Sequence, residues 1–142
     1  MPKSSILHEL IINAPSNKVY KAITTLKGLK SWWTKDTVVK NKIIEFGFYN
    51  RSTLFRMKII KLQKNKKVVW NCIGDEKEWK GTKITFKLLK DPESKGTNLK
   101  FSHEGWLSTK GWFGLCNYTW AHVLTRLKKY AEKGKPMSYF KY

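Results

Sequence analysis

The groups that could move protons in this chain are three histidines and ten carboxylates, and their placement argues against acid–base chemistry. A general acid–base site needs an inward carboxylate or histidine beside a second titratable partner. Glu9, Glu45 and Glu104 each alternate onto the face opposite the aromatic residues of their segments. Asp75, Glu76, Glu78, Asp91 and Glu93 fall in connections, Glu132 closes the last helical pattern, and Asp36 sits in a loop. No carboxylate pair points inward. His8 and His103 do, the latter on the face of Leu99 and Phe101. The bland reading of His103, a core or cavity-wall residue with one satisfied hydrogen bond, outranks a ligand-orienting role, and a catalytic base comes last. His122 lies off the helical stripe and reads as surface.

Other chemistries lack their parts too. No H-x-x-x-H pair or His/Cys/Asp cluster is present, so neither a metal nor a cofactor is expected. Cys72 and Cys116 have no C-x-x-C spacing and fall on apolar faces, which makes buried, reduced thiols the expectation. Glycine-rich phosphate loops, a G-x-S-x-G elbow and RNA-binding aromatic motifs are missing.

The elements that carry these residues follow from hydrophobic period. Ser5 to Asn13 reads as a first strand with Ile6, His8, Leu10 and Ile12 on one face, and Leu7 and Ile11 suggest cover on the other as well. Pro15 and Ser16 start a helix through Val19, Tyr20 and Ile23, which Gly28 should end, and Leu29 to Trp33 reads as a short second helix or turn. After Asp36 the period becomes two. Ile44, Phe46 and Phe48 share a face, then Phe55, Met57 and Ile59, then Val68, Trp70 and Cys72, then Ile84, Phe86 and Leu88, then Leu99, Phe101 and His103. The Ile59-Ile60 doublet suggests a bulge, and Lys64 to Lys67 and Asp91 to Gly96 are turns. Gly74 to Gly81 is a polar connection containing Trp79. The period then returns to 3.6: a helix from about Lys110 to Lys133 carries the stripe Phe113, Cys116, Trp120, Val123, Leu124 and Leu127, stopped by Gly134 and Pro136. The outward strand positions are rich in lysine, so the outer sheet face should be wet and basic.

At 142 residues, with no repeat or linker, the chain reads as a single domain over 1–142, long enough to bury roughly 70% of its unfolded surface. Twenty-nine Lys+Arg against ten Asp+Glu give +19, which attracts anions over a salt-dependent range. Only Arg51, Arg56 and Arg126 are arginines, and the lysines are dispersed, so no specific nucleic-acid partner is expected. The first twelve residues are interrupted by His8 and Glu9 and lack a cleavage site. They make neither a signal peptide nor a membrane span, and a cytoplasmic protein without membrane insertion is expected.

Four motifs, in order, carry a resemblance over residues 6 to 135. They are Ile12-Asn13-Ala14-Pro15 with Val19-Tyr20-Lys21-Ala22; Trp32-Trp33; Thr97-Asn98-Leu99-Lys100-Phe101-Ser102-His103; and Trp120, Leu124, Leu127-Lys128, Tyr130, Glu132 and Gly134. The chain resembles the START-like (SRPBCC) superfamily, and within it the family named after the activator of heat-shock protein 90 ATPase homologue. The resemblance implies an α+β helix-grip fold: a curved antiparallel sheet wrapped around a long C-terminal helix, with two short helices after the first strand and a cavity between. That superfamily includes lipid carriers, receptors and aromatase/cyclase-like enzymes, so fold alone does not give function.

The reading that results is a non-enzymatic, monomeric binding protein holding a small apolar or amphipathic ligand. Trp33, Phe46, Phe48, Phe55, Met57, Trp70, Phe86, Phe101, His103, Phe113 and Trp120 would line or close its cavity. The alternatives are a heat-shock protein 90 interaction module using the outer surface, as the family name suggests, and a cyclase-like enzyme, which the missing inward acids disfavour.

Overall fold

The computed structural model describes residues 3–142; residues 1 and 2, the start of the expected single domain and of the segment weighed as a leader, lie outside the described residues. The first strand, β1 (Ser4–Ile12), is followed by helices α1 (Ser16–Thr24) and α2 (Leu26–Trp32). Six strands follow: β2 (Thr37–Lys40), β3 (Ile43–Phe48), β4 (Thr53–Gln63), β5 (Lys67–Ile73), β6 (Lys83–Lys90) and β7 (Thr97–Trp106). The helix α3 (Phe113–Lys133) closes the fold. The strands form one antiparallel sheet in the order β1-β7-β6-β5-β4-β3-β2, the helix-grip arrangement. β1 returns to pair with β7, setting His8 opposite Phe101 and Leu10 opposite Leu99. The expected bulge is present, as a register shift between Ile59 and Lys61 against β5.

Alternation decides which side of the sheet is dry. Ile44, Phe46, Phe48, Met57, Val68, Trp70, Cys72, Ile84, Phe86, Leu88, Leu99, Phe101 and His103 are all buried on the inner face. The helical stripe Trp120, Val123, Leu124, Leu127 and Ala131 covers them. Gly134, in the left-handed region at φ 72°, caps α3, and its N–H donates to the Tyr130 carbonyl. The end of α3 is tied to β1 by polar contacts: Lys128 Nζ donates to the Ile11 carbonyl at 2.7 Å and to Glu132 at 2.6 Å, while the Asn13 N–H donates to Glu132 at 2.7 Å.

Three sequence expectations need correction. Leu7 is 70% and Ile11 43% exposed, so β1 is covered on one face only, because the helices pack on the inner side of the sheet. Gly28 does not end the first helix. α1 stops at Thr24, and the Thr25 hydroxyl accepts from the Gly28 N–H at 3.0 Å to start α2. A side chain at Gly28 would lie 2.3 Å from the Ala22 carbonyl oxygen, so its role is the close approach of two helices. The last helix begins at Phe113 rather than near Lys110. There the Glu78 carboxylate accepts the Trp112 N–H at 2.9 Å, placing negative charge at the helix's positive end.

The tail beyond α3 is a further structural part. It runs back beside the end of α2, where the Met137, Tyr139 and Phe140 N–H groups donate to the carbonyls of Ser31, Trp32 and Trp33. Lys35 N–H donates to the Phe140 carbonyl, completing a parallel bridge between Thr34 and Phe140.

Candidate functional site: an aromatic pocket beside the last helix

Between the first half of α3 and the β3–β4 end of the sheet lies a cavity of about 250 Å³. Cys116, Thr119, Trp120 and Val123 recur at helical spacing and make its helix wall, with Trp112 and Leu115 at the rim. Phe48, Tyr49, Thr53 and Phe55 come from β3, β4 and their turn. Trp33 follows α2, Trp79 comes from the β5–β6 connection, and Phe140 from the tail. No charged side chain contributes to this wall.

The rings form a layered stack. Phe55 and Trp79 lie parallel, 3.8 Å apart at 6°. Trp33 contacts Trp120 at 4.8 Å and Phe46 at 4.1 Å, and Phe140 meets Phe48 edge-on at 4.8 Å. Offset and edge-on contacts of this kind are worth about 0.5–1.5 kcal/mol each beyond area burial.

Of the residues expected to line or close the cavity, Trp33, Phe48, Phe55 and Trp120 stand in its wall. Phe46, Met57, Trp70, Phe86, Phe101 and His103 lie in the fully packed layer beneath, each at most 2% exposed. Phe113 is half-buried and sits edge-on against Trp106 at 5.4 Å. Sequence reasoning missed Tyr49, Thr53, Trp79, Cys116, Thr119, Val123, Phe140 and the rim residues Trp112 and Leu115 as parts of the site. The signal for Trp79 was present, a lone tryptophan within an otherwise polar connection. Phe140 gave none, since the tail has no periodicity.

His103 is held at both nitrogens. Trp120 Nε1–H donates to Nδ1 at 3.1 Å, and Nε2 lies 2.8 Å from Thr82 Oγ1. The first bond makes Nδ1 the acceptor, so Nε2 carries the proton and donates to Thr82. Thr82 in turn donates to the Trp79 carbonyl at 2.6 Å. Burial pulls the His103 pKa down to about 3, so the ring is neutral at physiological pH. The result is a structural relay from α3 through β7 to the β5–β6 connection, with both nitrogens engaged rather than the single one expected.

The thiols differ in position. Cys72 is buried, 3.2 Å from the Met57 sulfur, and burial pushes its pKa up to about 12, slightly opposed by the Thr82 hydroxyl. Cys116 is half-buried in the pocket wall. Burial raises it to about 11; the adjacent Trp79 indole N–H lowers it somewhat and the acidic Glu78 and Glu76 add to the rise. The acids of β3 and of the loop before β2 are committed elsewhere, since Arg51 pairs with Asp36 and Glu45, and Arg56 Nε donates to Glu45 at 2.8 Å. Among the described residues no three His, Cys, Asp or Glu side chains gather as a metal site. Among the same residues no helix is long and apolar enough to cross a membrane.

The model for the family described as activator of Hsp90 ATPase homolog 1-like protein matches residues 13–132. The chain belongs to this family. Among solved structures, the solution structure of the Aha1 dimer from Colwellia psychrerythraea superposes with a TM-score of 0.83 at 35% identity, covering 93% of this chain and 98% of that one. The protein MLL2253 from Mesorhizobium loti gives 0.73 at 16% identity, covering 89% and 95%. The Bacillus halodurans protein BH1534 gives 0.72 at 19%, covering 93% and 100%. The last two establish likeness of fold alone. A search of the curated proteins gives no match. For this member of the Hsp90-activator-like family, the four motifs and the helix-grip fold agree.

Proposed function

We propose that this chain is a non-enzymatic binding module, folded as one cytoplasmic domain, that holds a small apolar or amphipathic molecule in the aromatic pocket. The observation that carries the reading is the cavity of about 250 Å³ walled by Trp33, Phe48, Phe55, Trp79, Trp120 and Phe140. Ligand sites are concave, largely apolar and pre-formed, typically 300–1,000 Å³. A space slightly below that range suits a one- or two-ring molecule. The absence of charged residues in the wall, and the engagement of both His103 nitrogens, support binding over catalysis. A titration with the neutral two-ring fluorophore 1-naphthylamine tests it. Binding should saturate at one equivalent and be lost in Thr119→Trp, which fills the cavity. Unsaturable binding, or binding indifferent to that substitution, would overturn the reading.

A second reading is favoured by the 35% identical Aha1 relative, a dimer by its description. Here the exterior would dock a heat-shock protein 90 chaperone, and a second copy would replace the expected monomer. Capture of purified chaperone that persists in Thr119→Trp, with sedimentation at twice the monomer mass, would support this reading over the first.

A further inference from the structure

The acids of this chain are not spread as its lysines are. Residues 14–35 and 107–142, which supply the three helices and the tail, hold twelve Lys and Arg and a single acid, Glu132. The other nine acids lie on the strands and their connections. On the helical side a cleft of about 510 Å³ opens between α1, the start of α2 and the end of α3. Lys18 and Lys21 line it from α1, Lys27 from α2, and Lys133 from α3 together with Tyr130 and Ala131. Among the described residues none of these four lysines has an acidic partner. Glu132, which also borders the cleft, is taken by Lys128 and the Asn13 N–H. Two of the four lysines stand where folding does not favour a cation. Lys18 is the third residue of α1 and Lys27 the second of α2, and neither helix has an acid in its first turn. The positive end of a helix prefers a carboxylate, so these charges weaken the helices that carry them.

We propose that this cleft docks an acidic stretch of a partner polypeptide, whose carboxylates meet the four ammonium groups. The cleft shares no residue with the aromatic pocket, so its occupancy is independent of the pocket reading. Lysine ammonium groups are point charges on flexible stems, and they suit carboxylates placed one by one along a chain. Flexible acidic side chains can enter a concavity of this size. A stiff DNA duplex would meet only its rim, and no arginine stands in the cleft to fork onto phosphate. No large apolar residue is exposed in its lining, so it has nothing to insert into an anionic membrane surface. Charge pairing of this kind speeds encounter and sets orientation, and salt weakens it.

Isothermal titration calorimetry with a peptide of ten glutamates, in 100 mM sodium chloride, tests it. One peptide should bind per chain. Lys18→Gln/Lys27→Gln/Lys133→Gln should weaken binding about tenfold, the worth of three exposed ion pairs. Lys67→Gln/Lys87→Gln/Lys100→Gln removes as much charge from the outer sheet face and should change affinity by less than about threefold, because salt screens distant charges. Lys18→Gln/Lys27→Gln should also raise the thermal midpoint, since each helix start loses a cation. Equal weakening by the two triple variants would reduce the contact to diffuse attraction and overturn the cleft, as would a peptide that does not bind. A fall in the midpoint of the double variant would give Lys18 and Lys27 a structural role and overturn it too. Loss of binding to a DNA duplex or to phosphatidylserine vesicles in the cleft variant, with the glutamate peptide still bound as tightly, would overturn the acidic polypeptide as the occupant.

Discussion

The Trp120 indole nitrogen donates to His103 Nδ1 at 3.1 Å, and this one contact joins the closing helix to strand β7 by a hydrogen bond as well as by packing. It makes the fold sensitive to acid in a predictable window. The folded-state pKa of His103 is about 3, below the ordinary histidine value of 6.5. The unfolded chain therefore binds a proton that the native chain refuses between those two values. Stability is full above pH 6.5 and falls as pH drops toward 3, by up to about 1.4 kcal/mol per pH unit. Glu132 contributes only lower down. Burial raises its pKa, but Lys128 and the Asn13 N–H outweigh that and hold it below the ordinary carboxylate value of 4.5. Thermal midpoints between pH 7 and 5 therefore isolate His103. The expected outcome is a steady decline that His103→Gln, whose amide can still accept from Trp120 and donate to Thr82, flattens.

Trp120 should be the most sensitive large residue of α3. It is 3% exposed, contacts Phe101 at 4.5 Å and Trp33 at 4.8 Å, and supplies the donor to His103. Trp120→Ala is expected to destabilise by about 3–5 kcal/mol through the void alone. Equilibrium denaturation measures it. An unchanged midpoint would mean that α3 is docked chiefly by Lys128, Glu132 and the rest of the stripe.

The two cysteines should label at different rates. Both thiols are held well above their ordinary pKa, Cys72 to about 12 and Cys116 to about 11, so both react slowly at pH 7.5. Cys116, half-buried in the pocket wall, should react first, and a saturating pocket probe should slow it further. Equal rates at the two sites, or no protection by the probe, would count against the pocket's position.

Much of this architecture was legible because the strands are amphipathic. Lys83 and Lys87 alternate with Ile84 and Phe86, and water on one side of the sheet makes that pattern obligatory. The bulge at Ile59-Ile60 was legible for the same reason, since two successive apolar residues break a period of two. The site was half legible. Phe48, Phe55 and Trp120 sit on elements whose faces the period reveals, and Trp33 caps the short helix α2. Trp79 sits in a connection, where no period operates, and is fixed by the Thr82 hydroxyl and the Phe55 ring. Phe140 is placed by backbone pairing of the tail with Trp33 and Lys35, which composition does not encode. The exposed Leu7 and Ile11 misled because apolar residues on both faces of a strand normally imply two covering layers.

The outer face of the sheet gives the last prediction. Lys67, Lys87 and Lys100 are direct cross-strand neighbours on β5, β6 and β7, with Glu9 opposite Lys100 at the β1 end. Like charges set opposite one another destabilise a sheet, and this row belongs to a chain of net charge +19. Added salt should screen the repulsion, so the thermal midpoint should rise between 50 and 500 mM sodium chloride. The same lysines will attract a DNA duplex through counterion release alone, so that binding should be independent of sequence and vanish near physiological salt. Binding of a neutral aromatic probe draws on area burial and should be unchanged over the same range. A duplex that stays bound at 500 mM salt and prefers one sequence would show that the lysine rows form a specific interface rather than a solvated surface.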